Sequence, residues 1–221
     1  MNIFDIMGPV MVGPSSSHTA GAVRIGRVAR HLLGCQPVKA EILLHGSFAA
    51  TGRGHGTDKA IVAGLLDMEP DDTSIPRSLQ LAERAGLKVS IRPTELRDAH
   101  PNTALLTLTD GEGRTLSVNA SSLGGGRIRV NEIDGMGASF SGEYPTLIIR
   151  NRDEPGIVSE VTYALSRRGC NIAAMQLYRD RRGGLAVMVL ECYGPVPPAV
   201  RGEVTTLSGV ERCTYLDMGG N

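Results

Sequence analysis

The stretch GPVMVGPSSSHTAG, residues 8–21, places three serines, a histidine and a threonine in a row between glycines and prolines. A hydrophobic core does not need five such side chains together, and Gly13-Pro14 predicts a turn before them. We call residues 15–19 the serine loop. A helical pattern follows directly, so the loop lies at a helix N-terminus, which favours a carboxylate or phosphate. Two interpretations stay open: the loop binds an anion, or its serines only cap the helix.

The composition around this stretch narrows the class of protein. A chain of 221 residues suggests about two domains of ~100–150 residues each. Lysine and arginine (23) balance aspartate and glutamate (23), and aromatic residues make up 4%, which argues against nucleic-acid binding. No apolar run approaches the ~18–20 residues of a membrane span, and residues 1–5 lack the basic start of a secretory signal. We expect a soluble, cytoplasmic protein that binds no membrane and acts on a small molecule.

The cysteines are too widely spaced to suggest a metal site. None forms a C-x-x-C pair; the four are Cys35, Cys170, Cys192 and Cys213. This spacing favours buried, reduced thiols and predicts no metal ligands in this chain.

Apolar periodicity after the serine loop predicts a helix over residues 22–33 and a strand over 39–46. The next stretch, SFAATGRGHGTDKA at 47–60, contains three closely spaced glycines and precedes a helix over 59–66. Glycines at this density let the backbone approach a ligand closely. The strand, glycine loop and helix therefore resemble an anion cradle. A plain flexible turn is the alternative, but the His, Arg, Asp and Lys of this loop are more than a turn requires.

The remaining patterns predict two domains of the α+β class. A short helix over 75–85 and strands over 87–91, 104–109, 114–120 and 127–133 complete an N-terminal domain, residues 1–134. A glycine- and serine-rich segment, 135–145, has the composition of a linker. Residues 146–221 show the order βαββαβ, which predicts a ferredoxin-like domain with both helices on one face of an antiparallel sheet. An open edge of that sheet favours self-association.

Three motifs together resemble the beta chain of the bacterial iron–sulfur-dependent L-serine dehydratases. They are GPSSSHTAG, TGRGHGTDKA and the turn at His100-Pro101-Asn102. The segment NRDEPG at 151–156, with GCNI at 169–172, resembles an ACT domain. The two resemblances cover nearly the whole chain.

The resemblance implies an L-serine ammonia-lyase that converts L-serine to pyruvate and ammonia. A separate alpha chain would hold a [4Fe-4S] cluster that polarises the leaving hydroxyl as a Lewis acid, while this chain completes the substrate pocket. The cysteine spacing agrees with that division.

Carried onto this sequence, the resemblance makes His18 the first and His55 the second candidate for proton transfer. Each histidine could instead only donate an orienting hydrogen bond. The substrate-binding candidates are Ser15, Ser16, Ser17, Thr19, Thr57, Asp58, Lys59, His100 and Asn102. A plain turn explains His100 and Asn102 as well as a role does. Ser122 and the glycines at 124–126 either approach the ligand or simply enter a strand.

The ACT resemblance implies that Asn151, Asp153 and Gly156 bind an effector amino acid, with serine an obvious candidate. The same residues would also satisfy a helix start without any ligand. A rival interpretation of the whole chain is a serine- or anion-sensing regulatory protein, because a similar first domain occurs in some phosphoglycerate dehydrogenases.

Overall fold

A computed structural model describes residues 10–219, with the side chain of residue 53 left out. The start of the chain and residues 8 and 9 of the opening stretch lie outside this range. The chain forms two compact units, and the boundary between them along the sequence lies between Asp134 and Gly135. Each unit is described by itself. Within 10–219, no helix has the length and apolar character needed to span a bilayer.

The first unit alternates helices with strands. Its helices are α1 (Ala22–Leu33), α2 (Gly46–His55), α3 (Thr57–Leu65) and α4 (Ser78–Arg84), with a π-helical turn at Ser16–Gly21 and a 3-10 turn at Ile75–Arg77. Its strands are β1 (Lys39–His45), β2 (Lys88–Thr94), β3 (Thr103–Thr109), β4 (Thr115–Gly124) and β5 (Arg127–Ile133). The helix predicted over 22–33 is confirmed with the same bounds.

The strands of this unit lie side by side in the order β2-β1-β3-β4-β5. Strand β1 pairs in parallel with β2, and every other neighbouring pair is antiparallel. Alternate residues of β1, namely Ala40, Ile42 and Leu44, are buried while their neighbours are more exposed. This alternation is that of a sheet with one face against helices. Helix α2 begins at the residue that follows β1.

Helices α1 and α3 pack closely at two glycines. A Cβ added to Gly26 would meet the Ile61 carbonyl oxygen, and one added to Gly64 would meet the Val23 carbonyl oxygen. The two backbones therefore approach more closely than larger residues would allow. Because the π-helical turn leads directly into α1, this contact positions the serine loop relative to α3.

The structure corrects the glycine-rich loop predicted over 47–60. Most of that stretch is helix α2, which ends at Gly56 in the left-handed conformation with φ 73°. Glycine lowers helix propensity, which explains the prediction of a loop. Phe48 is completely buried and packs edge-to-face on His18, with ring centroids 5.2 Å apart. Tertiary packing of this kind stabilises helices whose intrinsic propensity is poor.

The second unit has the predicted ferredoxin-like order. After strand β6 (Met136–Phe140), that order runs β7 (Thr146–Arg152), α5 (Ile157–Ser166), β8 (Ile172–Arg179), β9 (Leu185–Cys192), α6 (Pro198–Thr206) and β10 (Val210–Leu216). Its antiparallel sheet has the order β10-β7-β9-β8. Leu147, Val161, Leu165, Met188 and Val200 are fully buried in one core cluster, which joins the sheet to both helices.

The segment predicted as a linker is partly strand. In β6, Ala138 and Phe140 are buried, and Gly137 lies against the Tyr178 ring. Beyond the strand, the backbone N–H and the hydroxyl of Ser141 donate to Glu191 Oε1 at 3.2 and 3.1 Å. Its glycines and serines are typical of linkers, but apolar side chains at alternate positions carry a strand pattern. This segment is therefore packed against the second unit.

Candidate functional site

The serine loop forms the π-helical turn that precedes α1. Ser15 is extended (φ −140°, ψ 124°), and its Oγ accepts a hydrogen bond from the His18 backbone N–H at 3.2 Å. The predicted capping by a serine is therefore present, but it uses only Ser15. A π-helical turn is rare and often occurs at functional sites. Here it turns the imidazole of His18 inward, where only 8% of the residue is exposed.

Hydroxyl groups surround both ring nitrogens of His18. Ser15 Oγ lies 3.3 Å from Nδ1, while Thr51 Oγ1 and Ser47 Oγ lie 3.0 and 3.3 Å from Nε2. The His55 ring stands edge-to-face to the His18 ring, with centroids 5.1 Å apart and an interplanar angle of 84°. We call Ser15, His18, Ser47, Thr51 and His55 the histidine cluster. Both residues predicted to transfer protons are thus brought into direct contact.

Helix α2 explains how three members of the histidine cluster meet. Ser47, Thr51 and His55 follow one another at intervals of four residues, which places them on one face of a helix. Thr51 Oγ1 also donates to the Ser47 carbonyl oxygen at 2.8 Å. Ser47 and Thr51 were not among the predicted site residues, because this stretch was predicted to be a loop. In a loop, an interval of four residues does not place side chains on a common face.

The surroundings of His18 favour its neutral form. Burial lowers the pKa of His18, a hydrogen bond to the Ser47 backbone opposes that effect, and the charge of His55 lowers the pKa further. The net result is a pKa below the ordinary value of 6.5. At neutral pH the ring is therefore uncharged and has one lone pair with which to accept a proton.

A glycine turn lies beside the serine loop. Residues 124–126 all have positive φ, between 61° and 95°, and the Gly125 N–H donates to Ser16 Oγ at 3.3 Å. A Cβ added to Gly124 would lie 3.8 Å from Ser17 Oγ. Arg24 donates to the Gly126 carbonyl oxygen at 3.1 Å, and this hydrogen bond helps to hold the turn. Ser16 and Ser17 are thus near main-chain groups that can contribute to an anion site.

The turn that contains His100 and Asn102 reaches the same region. The Asn102 carbonyl oxygen accepts from the Ser122 N–H at 2.9 Å, and the Phe48 N–H donates to the Pro101 carbonyl oxygen at 3.4 Å. Asn102 N–H donates to His100 Nδ1 at 3.1 Å. The turn is therefore fixed between the start of α2 and the strand that carries Ser122.

Three buried polar side-chain atoms near these elements have no hydrogen-bond partner within the described part of the chain. They are Thr57 Oγ1, Asn102 Oδ1 and Ser122 Oγ. Thr57 and Ser122 are fully buried, and burial without a partner is costly for a hydroxyl group. Groups of this kind are suited to bind a polar ligand.

The other predicted substrate residues are less directly placed. Thr19 is buried, and its side chain would collide with a Cβ at Gly13, so it packs against the turn that begins the loop. Asp58 Oδ1 accepts from the adjacent Lys59 N–H at 2.8 Å, and the Lys59 carbonyl oxygen accepts from Ser78 at 2.7 Å. Neither of these contacts joins Asp58 or Lys59 to the histidine cluster.

The described residues do not supply ligands for a metal cluster. No group of three or more His, Cys, Asp or Glu side chains between residues 10 and 219 could hold a metal ion. Cys35 is exposed, whereas Cys192 is buried in the second unit, where burial raises its pKa to about 11. An iron–sulfur cluster needs several thiolates together, so these cysteines do not fit one.

The predicted effector residues lie together at the turn between β7 and α5. Asn151 Nδ2 donates to the Arg152 carbonyl oxygen at 2.6 Å, while the buried Asn151 Oδ1 has no partner among the described residues. Asp153 accepts from the Gly183 N–H at 3.2 Å. Gly156 has φ 102° and begins α5. The turn combines a helix start with one free buried acceptor.

Both parts of the chain match known protein families. Residues 2–85 match the serine dehydratase beta chain family, and residues 145–208 match the ACT domain family. The chain is 39% identical to a probable L-serine dehydratase beta chain of Bacillus subtilis, covering 97% of each chain. It is 38% identical to the L-serine dehydratase beta chain of Peptoniphilus asaccharolyticus, covering 96% of this chain and 94% of that one. A D-3-phosphoglycerate dehydrogenase of Archaeoglobus fulgidus is 24% identical over 89% of this chain and 37% of its own length.

Proposed function

Because this chain belongs to the serine dehydratase beta-chain family, we propose that it is the beta subunit of an L-serine ammonia-lyase, which forms pyruvate and ammonia from L-serine. Such an enzyme must bind an amino-acid carboxylate and move the α-proton of the substrate. The observation that carries the proposal is the buried, neutral imidazole of His18, held in a loop of hydroxyl groups with a second imidazole against it.

The proposal divides the active site between two chains. The [4Fe-4S] cluster belongs to a separate alpha chain, because the cysteines of this chain do not form a ligand set. The present chain contributes the serine loop, the histidine cluster and the turn at 100–102. Its place of action is the cytoplasm.

Substrate binding follows from the donors around the serine loop. The substrate carboxylate binds to hydroxyl groups of Ser16 and Ser17 and to the nearby N–H groups of the glycine turn. Asn102, Thr57 and Ser122 offer polar atoms that have no partner within residues 10–219. An L-serine molecule can satisfy such atoms with its amino, carboxylate and hydroxyl groups.

Proton transfer is assigned to the two histidines. His18 accepts a proton because burial and the neighbouring imidazole keep it neutral. The ring of His55 contacts the ring of His18, and His55 receives or returns a proton in the same site. The roles of base and acid are thus held by one pair of rings.

The decisive experiment combines the purified chain with its alpha chain under anaerobic conditions. We expect pyruvate from L-serine only when both chains are present. His18→Ala should lower the rate at least ~10²-fold, the scale of general acid–base catalysis. His31→Ala is the matched control, because His31 lies on α1 and pairs with Asp67, outside the histidine cluster. Full activity of the alpha chain by itself would refute the proposal, and a loss of only a few-fold would remove His18 from proton transfer.

A regulatory role is the second candidate, and the similarity to a phosphoglycerate dehydrogenase favours it. In that case the serine loop binds an anion without catalysis. Calorimetry with L-serine separates the candidates: binding of serine to this chain without pyruvate formation in the two-chain mixture would favour the regulator.

The ACT domain adds a proposal about control. We propose that Asn151, Asp153 and Gly156 bind an amino acid, since the buried Asn151 Oδ1 lacks a partner within the described range. Self-association through an edge of the ACT sheet is part of the same proposal, because β10 and β8 are the outer strands of that sheet.

A further inference from the structure

The hydrogen bonds around His18 determine where each hydroxyl proton lies. Thr51 Oγ1 is 2.8 Å from the Ser47 carbonyl oxygen, and a carbonyl oxygen can only accept a hydrogen bond. The single hydroxyl proton of Thr51 therefore points to that carbonyl, because two oxygens at this distance without a proton between them would repel each other. This leaves Thr51 Oγ1 as an acceptor towards everything else.

The tautomer of His18 follows from this assignment. Thr51 Oγ1 lies 3.0 Å from Nε2 and has no second proton to give, so Nε2 must carry the hydrogen and donate it. Ser47 Oγ, 3.3 Å from the same nitrogen, can share that donor as a second acceptor. In the neutral ring, Nδ1 is then left with the lone pair.

The other side of the ring is consistent with the same tautomer. Ser15 Oγ accepts from the His18 backbone N–H at 3.2 Å and still has its own proton to donate. Nδ1, at 3.3 Å, receives that proton as a hydrogen bond. The hydrogen bonds from Ser15 to the Ser47 carbonyl therefore all run in one direction: Ser15 Oγ donates to Nδ1, Nε2 donates to Thr51 Oγ1, and Thr51 Oγ1 donates to the carbonyl oxygen.

We propose that Thr51 is a positioning residue that holds neutral His18 in the Nε2–H tautomer, so that Nδ1, beside the serine loop, is the nitrogen that accepts a proton. The functional part of this inference rests on the proposed L-serine ammonia-lyase activity. The path on the Thr51 side ends at the Ser47 carbonyl, which cannot take up a proton at physiological pH. Proton exchange of His18 therefore occurs on the Ser15 side.

The ring orientation is sensitive to Thr51 because the imidazole of His18 is itself buried, although Thr51 is exposed. His18 is 8% exposed, and Phe48 and His55 both stand edge-to-face to its ring. Few groups other than the neighbouring hydroxyls therefore reach its ring nitrogens. Without the Thr51 hydroxyl, Ser47 is free to turn its own proton to Nε2, which would favour the opposite tautomer with Nδ1–H donating to Ser15.

The test is a measurement of ring nitrogen chemical shifts by NMR on the full chain labelled with ¹⁵N-histidine. His18→Gln identifies the His18 signals among those of the five histidines. Above the pKa of His18, we expect the Nε2–H pattern in the wild-type chain. Thr51→Val should give a mixture or the Nδ1–H pattern, and Thr51→Ser, which keeps the hydroxyl, should restore the Nε2–H pattern.

Thr162→Val is the matched control. Thr162 also lies in a ten-residue helix and donates to the carbonyl oxygen four residues earlier, Val158, at 2.9 Å. Its replacement removes the same kind of helical hydrogen bond and should leave the His18 signals unchanged. An Nδ1–H pattern in the wild-type chain would overturn the proposal, and this outcome needs no variant to fold. Identical patterns in wild type and Thr51→Val would also overturn it.

Activity then tests the functional part separately. With the alpha chain present, Thr51→Val should lower kcat roughly tenfold to a hundredfold, the scale of a misplaced catalytic group, with little change in KM, and Thr51→Ser should restore it. If the two chains make no pyruvate at all, the proposed function fails while the tautomer measurement still stands. An unchanged kcat in Thr51→Val would refute the positioning role in an active enzyme.

Discussion

The close contact between α1 and α3 predicts that the same substitution, glycine to alanine, stabilises the protein at one helical position and destabilises it at another. Gly64→Ala and Gly54→Ala make the same change at two helical glycines. A Cβ at Gly54 would meet nothing within 4 Å. A Cβ at Gly64 would overlap the Val23 carbonyl oxygen and lie 2.7 Å from the Arg27 backbone nitrogen. The two substitutions should therefore have opposite effects.

The magnitudes follow from the contacts. Alanine in place of glycine stabilises a helix by up to about 1 kcal/mol, which is the whole expected effect at Gly54. At Gly64, ordinary contact at 3.4 Å requires the helices to separate by at least about 0.7 Å from the Arg27 contact alone. Overpacking of this kind costs about 1–3 kcal/mol. Backbone atoms cannot rotate away, so we expect a cost in the upper part of this range. After the gain in helix propensity of about 1 kcal/mol is subtracted, the net loss for Gly64→Ala should be about 1–2 kcal/mol.

Urea unfolding followed by circular dichroism measures the difference. With a slope of about 1–3 kcal/mol per molar urea, the midpoints of the two variants should differ by roughly 1 M, with Gly64→Ala the lower. Hydrogen exchange of the α1 amides shows whether the loss lies in the first unit. A Gly64→Ala chain as stable as Gly54→Ala would refute the close helix contact and the placement of the serine loop that depends on it.

Two further predictions concern pH and the β3–β4 hairpin. The folded-state pKa of His18 lies below 6.5, so the unfolded chain binds a proton more readily than the folded chain. The free energy of unfolding should therefore fall as the pH drops below about 6.5 and through the folded-state pKa. In urea titrations from about pH 7.5 to 5, His18→Gln should make this loss of stability smaller. At the hairpin, burial raises the pKa of Asp110, but hydrogen bonds from the Arg114 backbone and side chain outweigh it and hold that pKa below its usual value. Asp110→Asn should therefore lower the urea midpoint at pH 7 more than at pH 3, and an equal effect at both pH values would contradict the role of the charge.

The sequence predicted those elements that carry a regular apolar period. Helix α1 and the βαββαβ order were predicted from spacing alone, because burial of one helix stripe or one strand face leaves that pattern. The family resemblance stated from the motifs is confirmed by the matches to both families. Motif residues identify a family even in short segments, where the apolar period alone does not distinguish one structure from another.

Helix α2 could not be predicted in the same way. Its glycines lower helix propensity, and the contact that compensates, Phe48 on His18, joins residues thirty positions apart. The roles of Ser47 and Thr51 depend on that helix, since only helical geometry places them beside the same imidazole. Local sequence therefore pointed to two histidines whose rings are in contact, but the hydroxyl groups around them depend on tertiary packing.

The contact between the two imidazoles constrains how the site can handle protons. A positive charge on His55 lowers the pKa of His18, because the ring centroids are 5.1 Å apart. In the tautomer proposed above, Nδ1 on the side of Ser15 is the ring nitrogen of His18 that carries the lone pair. Under the proposed lyase activity, a proton taken from the substrate is accepted at Nδ1 of His18, and the same nitrogen can return it in a later step.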